Sequence, residues 1–349
     1  MMKQTNFFAE QNRLERLSNM GDPLEKVSAH IDFELFRAMI EDAVRNKAKD
    51  PRKGGRPPYD AILMWKATLL QEWYSISNDA VEYMINDRLS FQRFLGLDLN
   101  DKVPDANTLW DFKEALAKKG TDKALFEAFV GMLDEIGVVT RKGSIVDATF
   151  VDAPRQRNSR EENKTIKDGG IPEEWEDSKN ANKLRQKDTD ARWTKKNNET
   201  HFGYKDHIKI DKESKIILTF EVTDASVHDS KTIVDLCDER DKVISADSAY
   251  VGEKLAENLK EKCGKDVVLE ICEKGYKNNP LTDEQRASNR EKSRVRSRVE
   301  HVFGFMTMSM GGIFIRSIGI KRAKAGIARR NLAYNMKRYA YLAGRPSPA

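Results

Sequence analysis

SIVDATFVDAP, residues Ser144 to Pro154, has the composition of a buried β-strand. Its apolar and β-branched residues favour a strand, and Pro154 closes the run. One acid, Asp147, lies in the middle of this stretch. Because an unpaired carboxylate is costly inside a protein, Asp147 is expected to meet a cation, a hydrogen-bond donor or a metal ion.

The residues after this strand predict an α/β domain. HFGYKDHIKID (201–211) and ESKIILTFEVTDAS (213–226) read as a hairpin, KVISADSAY (242–250) as a fourth strand and DVVLEIC (266–272) as a fifth, with helices between the later strands. This order is typical of a ribonuclease H-like fold, a mixed sheet flanked by helices. Residues 155–200 carry dense charge of both signs, which predicts an insertion or a flexible excursion that orders on binding.

The first part of the chain has helical periodicity, so the sequence predicts an all-helical domain at 1–138 and the α/β domain at 139–345. A basic loop, PRKGGRPP at 51–58, precedes a compact set of short helices. Such a set suits a helix-turn-helix DNA reader or a packing and dimerisation module, and the sequence leaves both open.

Composition excludes a membrane protein. Hydrophobic residues make up 39% and charged residues 34% of the chain, and no apolar run approaches the roughly 18 residues that a span needs. The first residues are charged and contain no apolar segment of the signal-peptide kind, and three cysteines without paired spacing suit a reducing compartment. We therefore expect a cytoplasmic protein.

Positive charge is concentrated at the end of the chain. From Lys292 to Ala349 there are 13 of the 61 basic residues and one of the 56 acidic residues, which leaves 48 basic and 55 acidic residues before Lys292. Apolar residues at helical spacing interrupt this block, so it is expected to fold and to present its charge to a polyanion.

Three carboxylates form the candidate catalytic and metal-binding set. Asp147 is in the first strand, Asp247 ends the fourth, and Glu300 is on a predicted helix within the basic C-terminal block. The first and fourth strands are neighbours in a ribonuclease H-like sheet, so the two aspartates would approach each other around a cation. Three carboxylates suit Mg²⁺ or Mn²⁺, and two such ions about 4 Å apart catalyse in-line phosphoryl transfer.

Each acid also has a structural interpretation. Asp147 would bond a neighbouring backbone group, Asp247 would cap the following helix, and Glu300 would pair with Arg296 four residues earlier. The joint occurrence of the three acids on the matching elements of one fold favours catalysis.

From about Arg56 to Arg338 the sequence resembles the DDE transposases of bacterial insertion sequences, in particular the insertion sequence five family. The residues that carry the resemblance are PPYDAILMWKATLLQEWYSISNDAVEYMINDRLSFQRFLGL, VPDANTLWDFKEAL, VDATFVDAP, HFGYKDHIKID, VTDASVHDS, ADSAYVG and RVRSRVEHVFGFM. The resemblance implies that Asp147, Asp247 and Glu300 are the catalytic triad and that the N-terminal domain binds DNA. It also implies double-stranded DNA partners, namely element ends and target, and a homodimer in the synaptic complex.

The helix that carries Glu300 departs from the family at two positions. Related transposases carry tyrosine, arginine, glutamate and lysine at fixed spacing on this last helix. Arg296 and Glu300 fit that pattern, whereas Ser293 and Thr307 occupy its outer positions. The candidate DNA contacts are basic residues of the C-terminal block: Arg294, Arg296, Arg298, His301, Arg316, Lys321, Arg322 and Lys324.

The remaining histidines have weaker patterns. His228 is a candidate accessory residue for catalysis or phosphate contact, but its position before a helix favours a capping or packing role. His201 and His207 are predicted to be strand residues that face solvent or DNA.

The leading functional hypothesis is a transposase that binds the terminal inverted repeats of its element, cuts at the ends and joins them to new DNA. A nuclease of the same fold without strand joining, and a non-catalytic DNA-binding protein derived from a transposase, are the alternatives. Retention of all three acids favours an enzyme over the last of these.

Overall fold

The computed structural model describes residues 8–45, 57–177, 181–196, 198–275 and 280–345. Residues 51–56 of the basic loop lie outside these ranges. The chain divides into two compact units, one formed by residues 1–125 with 332–349 and the other by residues 126–331.

Helices account for all of the regular structure described in the first unit and for part of the second. In chain order they are α1 (Ala9–Asn19), α2 (Pro23–His30), α3 (Arg37–Val44), α4 (Ala61–Tyr74), α5 (Asn78–Asp87), α6 (Leu89–Leu95), α7 (Ala106–Lys119), α8 (Thr121–Glu135), α9 (Arg160–Lys167), α10 (Glu173–Glu176), α11 (Ala181–Arg185), α12 (Ile233–Leu236), α13 (Glu253–Cys263), α14 (Asp283–Met308) and α15 (Ile320–Ala343). Short 3₁₀ helices occur at Phe33–Phe36, Asp229–Lys231 and Ser248–Tyr250.

Helix α4 is the centre of the first unit. The Asp60 carboxylate caps it by accepting two backbone N–H groups of its first turn, and Trp65 and Trp73 are buried along it. The Trp73 indole N–H donates to the Ala333 carbonyl at 2.8 Å, and the Lys337 ammonium lies 5.7 Å from the same ring. These contacts place the end of α15 in the first unit, whereas the sequence had assigned all of 139–345 to the second domain.

The second unit is built on a mixed sheet. Its strands are β1 (Ser144–Asp152), β2 (Arg192–Lys196), β3 (Glu199–Asp211), β4 (Ile217–Asp224), β5 (Val243–Ala246) and β6 (Val268–Ile271). The order is β2-β3-β1-β5-β6, with β4 also paired to β3. The pairs that β3 makes with β1, β2 and β4 are antiparallel, and β1–β5 and β5–β6 are parallel. The predicted ribonuclease H-like α/β fold is confirmed.

Helices α12 and α13 cover an apolar cluster beside β1 and β5. The cluster includes Val146, Ile233, Ile244, Cys237 and Cys263, all buried. Both cysteines are therefore core residues, and burial raises the pKa of each thiol.

The charged insertion is folded rather than a flexible excursion in the part that the structure describes. Trp175 is fully buried and its indole N–H donates to Glu162 at 2.7 Å, while the Lys183 ammonium lies 2.9 Å from the same carboxylate. The Tyr204 hydroxyl on β3 lies 2.8 Å from both carboxylate oxygens of Asp188. The buried Trp175 and these polar contacts hold the insertion in a folded state. The sequence did not indicate this folded state, because the segment is dense in charged residues.

Within the residues that the structure describes, no helix is both long enough and apolar enough to cross a lipid bilayer.

Candidate active site

The parallel pairing of β1 with β5 sets the positions of the two aspartates. Ser144 is paired with Ile244 and Ile145 with Ser245. Asp147 lies two residues beyond Ile145, and Asp247 lies two residues beyond Ser245. Because the strands run in the same direction, this register continued by two residues brings Asp147 and Asp247 to the same level of the sheet.

Asp147 is a mostly buried acid, with its side chain 15% exposed. Its pKa is raised to about 6, chiefly by burial and also by the negative charge of Asp247. The opposing contributions come from the Ala148 N–H, which donates to Oδ1 at 2.8 Å, and from the positive charges of Arg296 and Lys196. Asp147 therefore needs nearby positive charge to remain ionised at neutral pH.

Asp247 follows the last residue of β5 and caps the short helix Ser248–Tyr250. Its Oδ1 accepts the Ala249 N–H at 2.7 Å. The capping interpretation of the sequence is thus realised, and the same residue contributes negative charge at Asp147. The two roles are compatible, because capping engages one carboxylate oxygen.

Glu300 reaches this region through α14. Val299, Val302 and Met306 are the buried residues of that helix, and Glu300 itself is 61% exposed. Its Oε1 lies 3.4 Å from Arg296 Nη2, while Arg296 Nη1 donates to Asp147 Oδ2 at 3.0 Å. One guanidinium therefore links the carboxylate of β1 with the carboxylate of α14.

Asp147 is close to Asp247 and is linked to Glu300 through Arg296, but the three carboxylates do not form a closed cluster. Within the described ranges, one group of three possible metal ligands has its donor atoms within 4.8 Å of one another. It consists of Cys237, Asp241 and Cys263. There the Lys209 ammonium already lies 2.7 Å from Asp241, and that group is in the core. Asp147, Asp247 and Glu300 do not form such a group among the described residues, although their carboxylate oxygens are the donor type that Mg²⁺ and Mn²⁺ prefer.

Residues 140–336 match the family model described as "Transposase DDE domain", and residues 12–115 match "Transposase domain (DUF772)". The first match spans 336 − 140 + 1 = 197 of the 349 residues, more than half of the chain. The chain belongs to the transposase DDE domain family.

Both family models describe transposases, so the helical N-terminal region and the α/β region are parts of one insertion-sequence DDE transposase. No solved structure matches the chain. Transposases of this kind bind DNA and use divalent metal ions in general, and the carboxylate region of this transposase lies inside the matched DDE domain.

The predicted DNA contacts on α14 have different surroundings. Arg294 and His301 are exposed, whereas Arg296 is held between Asp147 and Glu300. Arg298 donates to the Lys212 carbonyl at 2.8 Å and also pairs with a neighbouring acid, so it secures the turn between β3 and β4. Only part of the predicted set is therefore presented directly to solvent.

The predicted contacts at and before α15 also differ from one another. Arg316 and Lys321 are exposed, and the Arg316 guanidinium lies 6.0 Å from the ring of Phe314. Lys324 pairs with Glu221 at 2.8 Å, and Arg322 donates to a backbone carbonyl at 3.3 Å. Of these four residues, Arg316 and Lys321 are the better placed to contact DNA.

The histidines have different surroundings in the structure. His228 caps the Asp229–Lys231 helix by accepting the Ser230 N–H at 3.3 Å, which is the capping alternative. His201 stacks on Phe150 with ring centroids 4.1 Å apart.

His207 contradicts the prediction that it faces solvent or DNA. It is completely buried and lies 2.9 Å from the Thr223 hydroxyl. Burial lowers its pKa to about 4, so this histidine is neutral at physiological pH. Strand β3 pairs with a strand on each edge, and His207 is buried within it. Alternation along one strand does not predict that its polar positions are also buried.

Sequence reasoning did not single out Lys205 and Asp229, which hold the loop after β4. The Lys205 ammonium donates to Asp229 at 2.8 Å and to the Val227 carbonyl at 2.7 Å. Both residues lie in stretches that carried the family resemblance, HFGYKDHIKID and VTDASVHDS. A lysine within one motif and an acid within the other were the signal that the sequence offered for this pair.

Proposed function

We propose that this chain is a transposase of the insertion sequence five family that binds the terminal inverted repeats of its element, cuts the DNA at the ends and joins those ends to target DNA. The observation that supports this most directly is the placement of Asp147 and Asp247 at one level of the parallel β1–β5 pair, with Glu300 linked to Asp147 through Arg296. The motifs shared with that family support the finer assignment.

We infer that Asp147, Asp247 and Glu300 hold divalent metal, two Mg²⁺ ions with Mn²⁺ as a substitute. When bound, such ions activate the attacking oxygen and stabilise the leaving oxygen of an in-line phosphoryl transfer. The fit rests on hard oxygen donors and on the demand for positive charge at Asp147, whose pKa burial raises to about 6.

The protein's own groups orient DNA and maintain charge at this site. Lys196 and Arg296 supply positive charge beside Asp147, which favours an incoming phosphate as well as the ionised carboxylate. Arg294 and His301 are exposed on the same helix as Glu300, where they would contact phosphates of the end DNA. Water as the nucleophile cuts the strand, and a freed 3′-hydroxyl joins it to target.

The proposal includes a homodimer in the synaptic complex, because two element ends must be cut and joined together. The helical first unit is its DNA-binding module, and the reaction takes place on cytoplasmic DNA. Salt dependence of end binding would be steep, because phosphate contacts release counterions.

The test uses labelled duplex that carries the DNA flanking this reading frame, incubated with the protein, Mg²⁺ and a supercoiled target. We expect a 3′-hydroxyl at the element boundary and joined products, and neither with duplex of scrambled ends. Cutting at the boundary without joined products would support a nuclease instead. Specific binding without any Mg²⁺-dependent cutting would support a DNA-binding protein.

A further inference from the structure

Tyr250 lies near the carboxylates of Asp147 and Asp247. It ends the short helix that begins after Asp247, and it is 1% exposed. In the part of the chain that the structure describes, its hydroxyl has no hydrogen-bond partner. A buried tyrosine hydroxyl usually finds a hydrogen-bond partner, because an unpaired buried donor is destabilising.

The surroundings of this hydroxyl are dominated by acids. Burial raises the pKa of Tyr250 most, and the negative charges of Asp147, Asp229 and Asp247 raise it further, with Arg296 opposing them. A tyrosine hydroxyl is a hydrogen-bond donor as well as an acceptor, and several carboxylates surround this one. A donor of this kind is suited to a carboxylate acceptor.

The acids around Tyr250 are not equally available as acceptors. Lys205 holds Asp229 at 2.8 Å. Asp147 uses one oxygen for the Ala148 N–H and the other for Arg296. Asp247 uses Oδ1 to cap its helix, and within the described ranges its Oδ2 makes no hydrogen bond. Asp247 is also three residues before Tyr250, and its backbone carbonyl accepts the Tyr250 N–H at 3.2 Å, which holds the two residues in one turn.

We propose that Tyr250 is a positioning residue of the catalytic site, whose hydroxyl donates to the Asp247 carboxylate when metal is bound and so fixes the orientation of that ligand. This inference rests on the proposed function of the three carboxylates. Hydrogen bonds to ligating carboxylates set their orientation, and loss of one such bond lowers metal affinity or activity about 10–100-fold. An unpaired buried donor is stabilised by that bond, so metal binding and Tyr250 support each other.

The experiment compares wild type with Tyr250→Phe, which removes only the hydroxyl. Mn²⁺ binding to the DNA-free protein is measured by isothermal calorimetry, and unfolding is measured in EDTA. We expect Tyr250→Phe to unfold in EDTA at the wild-type temperature or slightly above it, and to bind Mn²⁺ at least about 10-fold more weakly. In end cleavage, the Mg²⁺ concentration for half-maximal rate should rise by a similar factor.

Tyr204→Phe is the matched control, because Tyr204 is another buried tyrosine of the same unit whose hydroxyl bonds Asp188 away from this site. It should lose stability and keep Mn²⁺ affinity. Asp147→Asn is the positive control for the metal site. If Asp147→Asn weakens Mn²⁺ binding and Tyr250→Phe does not, the inference is overturned while the proposed function stands. If Asp147→Asn leaves Mn²⁺ binding unchanged, the metal site itself fails and the inference fails with it.

Discussion

Arg296 shows how one side chain can satisfy two acids at once. Its guanidinium meets Asp147 at 3.0 Å and Glu300 at 3.4 Å. The sequence suggested the pair with Glu300 from helical spacing, but the pair with Asp147 joins residues 149 positions apart. No local pattern predicts such a contact, since it depends on how α14 packs beside β1.

Arg296→Gln should destabilise the metal-free protein. Without the guanidinium, the mostly buried Asp147 loses a charged partner, and we expect a loss on the order of 1–2 kcal/mol at pH 8. Mg²⁺ should then raise the unfolding temperature of the variant more than that of wild type. Thermal unfolding in EDTA and in Mg²⁺ measures both effects. Arg294→Gln, an exposed position on the same helix, is the control, and equal behaviour of the two variants would contradict this account.

Asp206 is a buried acid outside the catalytic set. Its pKa is raised to about 7 by burial, and its Oδ1 accepts Asn331 Nδ2 at 3.3 Å. The folded protein therefore holds a proton that the unfolded chain releases near pH 4, and stability should fall as pH rises from about 4 to about 7.

Asp206→Asn should remove this pH dependence. An amide keeps an acceptor for Asn331 and adds a donor for Asn331 Oδ1, which has no partner within the described ranges. At pH 8 the variant should be more stable by a few kcal/mol, since one pKa unit corresponds to about 1.4 kcal/mol. Urea unfolding of the wild type and of Asp206→Asn at pH 5 and pH 8 tests this prediction. A difference that is the same at both pH values would show that Asp206 does not titrate as described.

At the scale of elements, a buried ion pair ties β1, β3 and the loop before β5 together. Lys209 and Asp241 are 2.7 Å apart, and both side chains are 1% exposed. Asp241 also accepts the Ser144 hydroxyl at 2.5 Å. This network holds the start of β1 and thereby the strand that carries Asp147.

Lys209→Met should cost about 3–5 kcal/mol, because it leaves the Asp241 charge buried and unpaired. Lys209→Met combined with Asp241→Asn should recover at least half of that loss, since no isolated charge remains. Equilibrium denaturation of the single and double variants gives the comparison. A double variant no more stable than Lys209→Met would argue against an ion-pair origin of the loss.

The folded insertion brings β2 close to Asp147. Lys196 contributes positive charge at Asp147 and lies 5.7 Å from the ring of Phe150. Its neighbour Lys195 is also exposed but points to the other face of β2, because side chains alternate along a strand. The position of β2 could not be predicted, since the insertion has few apolar residues to indicate a period.

Lys196→Ala should weaken binding of end DNA severalfold and reduce the slope of log affinity against log salt by about one, as expected for a lost phosphate contact. Lys195→Ala is the matched control with the same charge change. Fluorescence anisotropy over a salt series measures both slopes. Equal effects of the two substitutions would mean that the Asp147 face of β2 has no special contact with DNA.

At the scale of the whole molecule, much of the architecture followed from local patterns. The strand around Asp147, the strand ending at Asp247 and the helix carrying Glu300 are all present, because alternation and helical spacing are strong in those stretches. The burial of His207 and the partition of α15 between the two units were not predicted. Both depend on which surfaces pack together, and a periodic pattern specifies a buried face without naming its partner.

The central claim is that three acids from three separate elements act as one metal site. The most direct test is the rate of Mg²⁺-dependent cleavage at the element end for Asp147→Asn, Asp247→Asn and Glu300→Gln, with Glu291→Gln as an exposed control on α14. Folding of each variant is verified by its unfolding temperature. We expect each of the first three to lose activity by roughly three orders of magnitude or more, because each removes a ligand charge for the metal. Glu291→Gln should cleave at the wild-type rate, and a folded variant of any of the three acids that did the same would contradict the claim.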